Sequence, residues 1–159
     1  MGKSIFVFLL LIPFWGNTQK GYDLVGIWQD SPVVAAGWSD TYLFYSDGKF
    51  VFNYSQMVCD SRDVSYSGTW ELRDEGKLNL TIKNKTMIVG GALVKASGSC
   101  ASEYEIEGGE EKIIELTNQE NISIILSDFT IDTENHSIGT MLFNGSRFWR
   151  MSNDPKNYY

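Results

Sequence analysis

A chain of 159 residues with 20 acidic and 13 basic side chains, a net charge of -7 and no cluster of Lys or Arg is the size of one ordinary domain. It lacks the positive footprint that nucleic acid or an anionic membrane surface requires. Two cysteines and one histidine, far apart in sequence, do not make a zinc site, so no metal or other cofactor is expected.

The first residues read as an export signal. Lys3 supplies a basic start, Ile5 to Phe14 an apolar core, and Gly16 to Thr18 small or polar residues before a cleavage point. The apolar run is shorter than the roughly twenty residues of a membrane span. No cysteine precedes Cys59, so lipid attachment at the cleavage point is not expected. The expectation is a signal peptide over residues 1–20 and one domain over residues 21–159. The mature chain would be secreted, periplasmic or at the cell surface, neither a lipoprotein nor inserted in a membrane.

From there the chain is all-β in pattern. Short runs rich in aromatic and β-branched residues alternate with turn signals. They are Leu24–Asp30, Thr41–Ser46, Lys49–Met57, Ser65–Arg73, Lys77–Lys83, Thr86–Ala96, Glu103–Glu107, Lys112–Asn118, Ser123–Ser127, Ser137–Asn144 and Arg147–Ser152. Asp47-Gly48 and Asn144-Gly145 supply the positive-φ residues of two-residue hairpins. Glu75-Gly76, Gly90-Gly91 and Gly108-Gly109 are further turn signals.

Alternation assigns the faces. Phe50, Phe52 and Tyr54 share one side of their run, Tyr66, Gly68, Trp70 and Leu72 one side of the next, and Leu78, Leu80 and Ile82 continue the series. One apolar face against one polar face is the mark of an antiparallel wall. The fold expected is a single antiparallel up-and-down barrel of about eight to ten strands. On the last strand, Trp149 and Met151 share a face that excludes Arg150, so an inward Trp149 would place Arg150 outside.

Cys59 and Cys100 can form a disulfide in an exported protein. In a plain meander their two loops fall at opposite ends, and a bond needs Cα atoms within about 7 Å; an extra hairpin turn at Gly90-Gly91 would bring them to one end. Both outcomes stay open at the level of sequence.

Catalytic signals are sparse. A Ser-His-acid triad would have to use His136, which sits in the polar stretch Asp132–Ser137. Glu103, Glu105 and Glu107 alternate on one strand face, followed by Glu110 and Glu111, and Asp128, Asp132 and Glu134 form a second acidic group. Alternating glutamates are what a solvated wall presents, and neither group has the six to eight oxygen ligands of calcium fixed by spacing. No catalytic or metal-ligating residue is therefore assigned, and the protein is not expected to be an enzyme. Asn-x-Ser/Thr triplets at Asn53, Asn79, Asn84, Asn121, Asn135 and Asn144 follow from Ser and Thr on wet strand faces.

Four short motifs carry a resemblance. Gly26-Ile27-Trp28 on the first strand, Asp47-Gly48-Lys49-Phe50 in the first tight hairpin, Gly68-Thr69-Trp70 on the next strand and a closing Phe148-Trp149-Arg150 resemble the bacterial lipocalin-like, calycin-type secreted proteins. The resemblance implies that Gly26 allows close packing at the closed end of the barrel and that Trp28 plugs it. Trp70 would be structural too, and Arg150 would be the basic residue lying across the Trp28 ring. The short Asn144-Gly145 hairpin departs from the C-terminal helix of lipocalins proper.

An eight-stranded barrel either fills with its own side chains or holds one small ligand. Two readings follow. In the first, the protein binds a small hydrophobic ligand against Tyr42, Phe44, Phe52 and Tyr54, with Trp38 and its neighbours Pro32, Val33 and Val34 as a lid. In the second, a solid barrel acts as a protein-interaction or inhibitor module of the cell envelope, its loops meeting an envelope protein. A hydrolase built on loop carboxylates and His136 ranks behind both.

Overall fold

The computed structural model of the chain describes residues 23–73, 76–131 and 138–158. The expected signal segment, Glu75 and the polar stretch with Asp132, Glu134 and His136 lie outside the described residues.

The described chain forms ten strands. They are β1 (Gly26–Gln29), β2 (Thr41–Phe44), β3 (Lys49–Asn53), β4 (Asp63–Leu72) and β5 (Lys77–Val89), then β6 (Ala92–Lys95), β7 (Tyr104–Glu107), β8 (Glu110–Thr130), β9 (Gly139–Phe143) and β10 (Ser146–Ser152). Eight of them make a ring of antiparallel neighbours in the order β1-β10-β9-β8-β5-β4-β3-β2, and β1 pairs with both β10 and β2 to close it. Ring closure covers most of the edges that an open sheet would expose, the exception being the N-terminal part of β8, which has no neighbour but β5 among the described residues. One-turn 3-10 helices cover Ala36–Trp38 and Pro155–Tyr158.

Period-two alternation carries the core. Phe50 and Phe52 from β3, Tyr66 from β4, and Leu78, Leu80 and Ile82 from β5 all turn inward, joined by Trp28, Tyr42, Phe44, Ile124, Leu126, Met141, Phe143 and Phe148. The wet face of the same wall carries Thr81 bonded to Asn121 and Ser123 bonded to Asn79. The Asn144-Gly145 hairpin has the expected two-residue loop, with φ of 50° and 86°. At Asp47-Gly48 the loop is instead residues 46–48, because Tyr45 N–H donates to Lys49 O and Gly48, not Asp47, takes the positive φ.

Two strands run on where the pattern suggested breaks. The runs Lys77–Lys83 and Thr86–Ala96 are one strand as far as Val89, and Lys112–Asn118 and Ser123–Ser127 belong to the single strand β8. A bulge absorbs the interruption, since Ile82 pairs with Glu120 but Asn84 with Glu115. β6 and β7 leave the ring and pair only with each other. The excursion turns on Gly90, Gly91, Gly108 and Gly109, all at positive φ. A Cβ on Gly91 would fall on the carbonyl oxygen of Gly108, so the two crossing chains approach too closely for any side chain there. The β5–β8 pair is thus one long hairpin, bent sharply at its glycines.

Candidate interaction face at the loop end of the ring

The bend decides where Cys100 goes. With β5 a single strand, the ribbon tip lies at the same end as the 54–62 loop, and Cys59 and Cys100 are bonded with their Cα atoms 5.7 Å apart. The pairing therefore does not depend on an extra strand reversal at Gly90-Gly91 but on the uninterrupted run of β5. Backbone bonds reinforce it. Ala101 N–H donates to Met57 O at 2.8 Å, Ile106 N–H to Cys59 O at 3.1 Å, and Ile88 N–H to Arg62 O at 2.8 Å. Ser102 Oγ donates to Asp60 Oδ1 at 2.6 Å, and Arg62 reaches the carbonyls of Ile88 and Gly90.

The 30–40 loop joins the same assembly. Gln29 is 4% exposed, and its Nε2 donates to the carbonyls of Ser31 and Val34 and to Ser39 Oγ at 3.1–3.4 Å. Thr41 Oγ1 donates to Ser39 O, and Ser39 is itself buried. Gln56 N–H donates to Gly37 O at 2.9 Å, and Ser55 N–H to Asp40 Oδ1 at 2.9 Å. Three segments far apart in sequence are thus tied into one end face. Apolar side chains point out of it: Val33 is 81%, Trp38 51% and Leu93 58% exposed, and Val34, Val58 and Tyr104 are exposed as well.

Beneath the loops the inward side chains pack on one another. Tyr42, Phe44 and Phe52 are buried core rather than free lining, and Tyr54 is half-buried at the rim. Ring centroids stand 4.5 Å apart for Tyr42 and Phe52, 4.7 Å for Phe52 and Tyr66, and 4.9 Å for Phe52 and Tyr54. Such spacing is that of aromatic pairs in van der Waals contact. Trp38 stays outside this cluster, so the structure does not bring it together with the four other residues expected to share a pocket. Grooves of about 470 and 300 Å³ lie instead along the wall, one between β3, β4 and β5 beside Gly68, the other between β4, β5 and β8 beside Asn79 and Asn121.

Two phenols are sealed into the core as a pair, with Tyr42 and Tyr66 hydroxyls 3.2 Å apart. Burial pushes the pKa of both above the ordinary phenol value, and for Tyr66 the neighbouring Tyr42 adds to the rise. Tyr54 is raised as well, by burial and then by the Asp63 charge. The folded state therefore keeps protons that the unfolded chain releases above about pH 10. Stability is complete below that value and falls as pH rises through it. An alkaline titration followed by phenolate absorbance should show Tyr42 and Tyr66 ionising only with unfolding. The double variant Tyr42→Phe/Tyr66→Phe should unfold at higher pH than the native chain, whereas Tyr66→Phe alone strands one hydroxyl and costs about 1–2 kcal/mol.

At the opposite end, Trp28 is fully buried and its Nε1 donates to Leu24 O at 2.9 Å. Arg150 faces inward, 7% exposed, with its guanidinium 5.7 Å from the Trp28 ring centre. It donates to Asp23 Oδ2 at 3.1 Å and to Val25 O. Phe148 shares that inward face, and Trp149 lies half-buried on the other, so of the two placements open in the sequence the one with Arg150 inside is found. Gly26 has φ of 139°, and a Cβ on it would fall on the Ser152 carbonyl oxygen. Trp70 is half-buried, edge-on to Phe44 at 5.7 Å, and its Nε1 donates to Tyr45 O at 3.1 Å.

No protein-family model, curated protein or solved structure matches the chain.

The acidic tracts are spread by the fold. Glu105 accepts from Ser97 N–H and Oγ, Glu110 pairs with Lys112 at 3.5 Å, and Asp128 pairs with Arg147 at 2.8 Å. Among the described residues no three His, Cys, Asp or Glu side chains gather as a metal-binding group. Sequence reasoning missed Gln29 and Ser39, the buried polar pair that anchors the 30–40 loop; a glutamine next to the plug tryptophan was the available signal.

Proposed function

We propose that the protein is an exported, lipocalin-like β-barrel with a solid interior that works without catalysis, binding another envelope or extracellular protein through its loop end. One contrast carries the reading. The inner aromatic residues are consumed in packing, while Val33, Val34, Trp38 and Val58 are held outward on loops cross-tied by hydrogen bonds and a disulfide. Exposed apolar groups gathered on a rigid support mark an interaction surface, and rigidity lowers the ordering cost of binding. The lipocalin-like reading draws support from Trp28 with Arg150 across it and from Gly26 beside Ser152.

The experiment places a photo-crosslinking amino acid at position 38 in the native host and identifies what is captured. A single protein captured at position 38, and lost in Val33→Asp/Val34→Asp, is the expected result. Titration of tryptophan emission with long-chain lipids and aromatic compounds should leave the spectrum unchanged. Saturable emission changes, with no protein captured, would replace this reading by a small hydrophobic ligand.

A further inference from the structure

β8 is paired on one edge only for much of its length. Against β5 it is bonded from Glu110, opposite Val89, to Ile125, opposite Lys77, whereas against β9 it is paired only from Leu126 to Thr130. The second edge of residues 110–115 therefore carries no strand among the described residues. The bulge after Glu115 ends this stretch, leaving a length of about 17–20 Å, that of an ordinary strand.

Four of these six side chains are charged, which blunts an edge, but the other two are isoleucines. Natural edges are blunted by lysines, prolines, bulges or covering segments. Here Ile113 is 76% and Ile114 41% exposed, adjacent on the strand and so on opposite faces. Lys112 is occupied by Glu110 at 3.5 Å. We infer that residues 110–115 of β8 take up a strand from a partner protein by β-addition, and that this strand is basic, with apolar residues at alternate positions.

Backbone chemistry selects an extended strand, because the unpaired N–H and C=O groups of an edge match only another chain in β conformation. Charge selects its composition. Glu110, Glu111 and Glu115 outnumber Lys112, in a chain whose net charge is -7. The two-fold antiparallel self-match centred on Ile113 is disfavoured, because it sets Glu111 against Glu115 of the second copy and like charges directly opposite destabilise a pair. A basic strand neutralises the same carboxylates and covers Ile113 on one face and Ile114 on the other.

The inference rests on reading the protein as an interaction module and names one mode by which it does so. Its test uses the full chain and three capped six-residue peptides: one alternating lysine with valine, one alternating glutamate with valine, and the lysine peptide N-methylated at alternate residues. Amide hydrogen exchange read by NMR should show the lysine peptide slowing exchange at residues 110–115 by about tenfold or more, with neither other peptide doing so. In Glu111→Lys/Glu115→Lys the preference should invert toward the glutamate peptide. Equal protection by the N-methylated peptide would overturn the inference without any variant, since charge alone would then suffice. Protection confined elsewhere, or protection of 110–115 that grows with protein concentration alone, would overturn it too, the latter in favour of a second copy. Capture at position 38 is unaffected by either result, so the edge can fail while the loop face stands.

Discussion

Trp28→Ala should lower the unfolding free energy by about 3–5 kcal/mol, the largest effect expected of any single substitution. Trp28 has no exposed surface, packs 5.6 Å from the Phe143 ring, and supports the Arg150 guanidinium 5.7 Å from its own. Truncation leaves a void at the tightly packed end, where the Gly26 and Ser152 backbones already touch and cannot close in. It also leaves Arg150 without its aromatic face, a contact worth about 0.5–2 kcal/mol. Denaturant unfolding should show the loss as an earlier midpoint at unchanged slope, and Tm should drop on the order of 10 °C. Trp28→Phe should cost much less, because most of the volume remains. A loss under about 1 kcal/mol for Trp28→Ala would mean the end of the ring is not plugged by this ring at all.

Replacing both cysteines, Cys59→Ser/Cys100→Ser, should cost about 2–4 kcal/mol through the freedom regained by the unfolded chain. The bond joins positions 41 residues apart, and larger closed loops lose more on release. The second consequence is local. β6 and β7 pair only with each other, and a two-stranded ribbon alone is marginal in water. What holds it down, besides the disulfide, is a pair of backbone bonds to Met57 and Cys59 and the Ser102–Asp60 bond. Amide exchange at residues 92–107 should therefore accelerate in the double variant far more than at the ring residues around Leu80 and Met141. Uniform acceleration would show that the ribbon and ring open as one unit.

Most of the wall was legible because strand alternation is a local signal. Phe50, Phe52, Tyr66, Leu78, Leu80 and Ile82 declare their face within a few residues, and Asn144-Gly145 declares its turn. The ribbon was not legible, for a physical reason. Gly90-Gly91 and Gly108-Gly109 look the same whether they reverse a chain or bend two crossing ones, and only their pairing in space, Gly91 against Gly108, distinguishes the cases. Continuity of β8 was hidden by its own bulge, since residues without partners read as a loop. Alternation left Arg150 open, since an inward Trp149 would have placed it outside while the resemblance laid it across Trp28. Phe148 is the aromatic residue that turns inward, and the arginine can face in because Trp28, Asp23 and the Val25 carbonyl receive it. The end face was the least legible of all, because three segments far apart in sequence meet there through backbone bonds and through polar side chains bonded to backbone groups, neither of which follows a local pattern.

The function proposed above requires that the side chains packed inside the ring leave no room for a ligand. The most direct test is a methyl NMR titration of the full chain with a long-chain fatty acid, following Met141, Leu80 and Ile82, which are 2% exposed or less. The account predicts that these signals stay in place throughout. Saturable shifts at the three sites, reached at one equivalent of fatty acid, would contradict it and return the function to the inside of the ring.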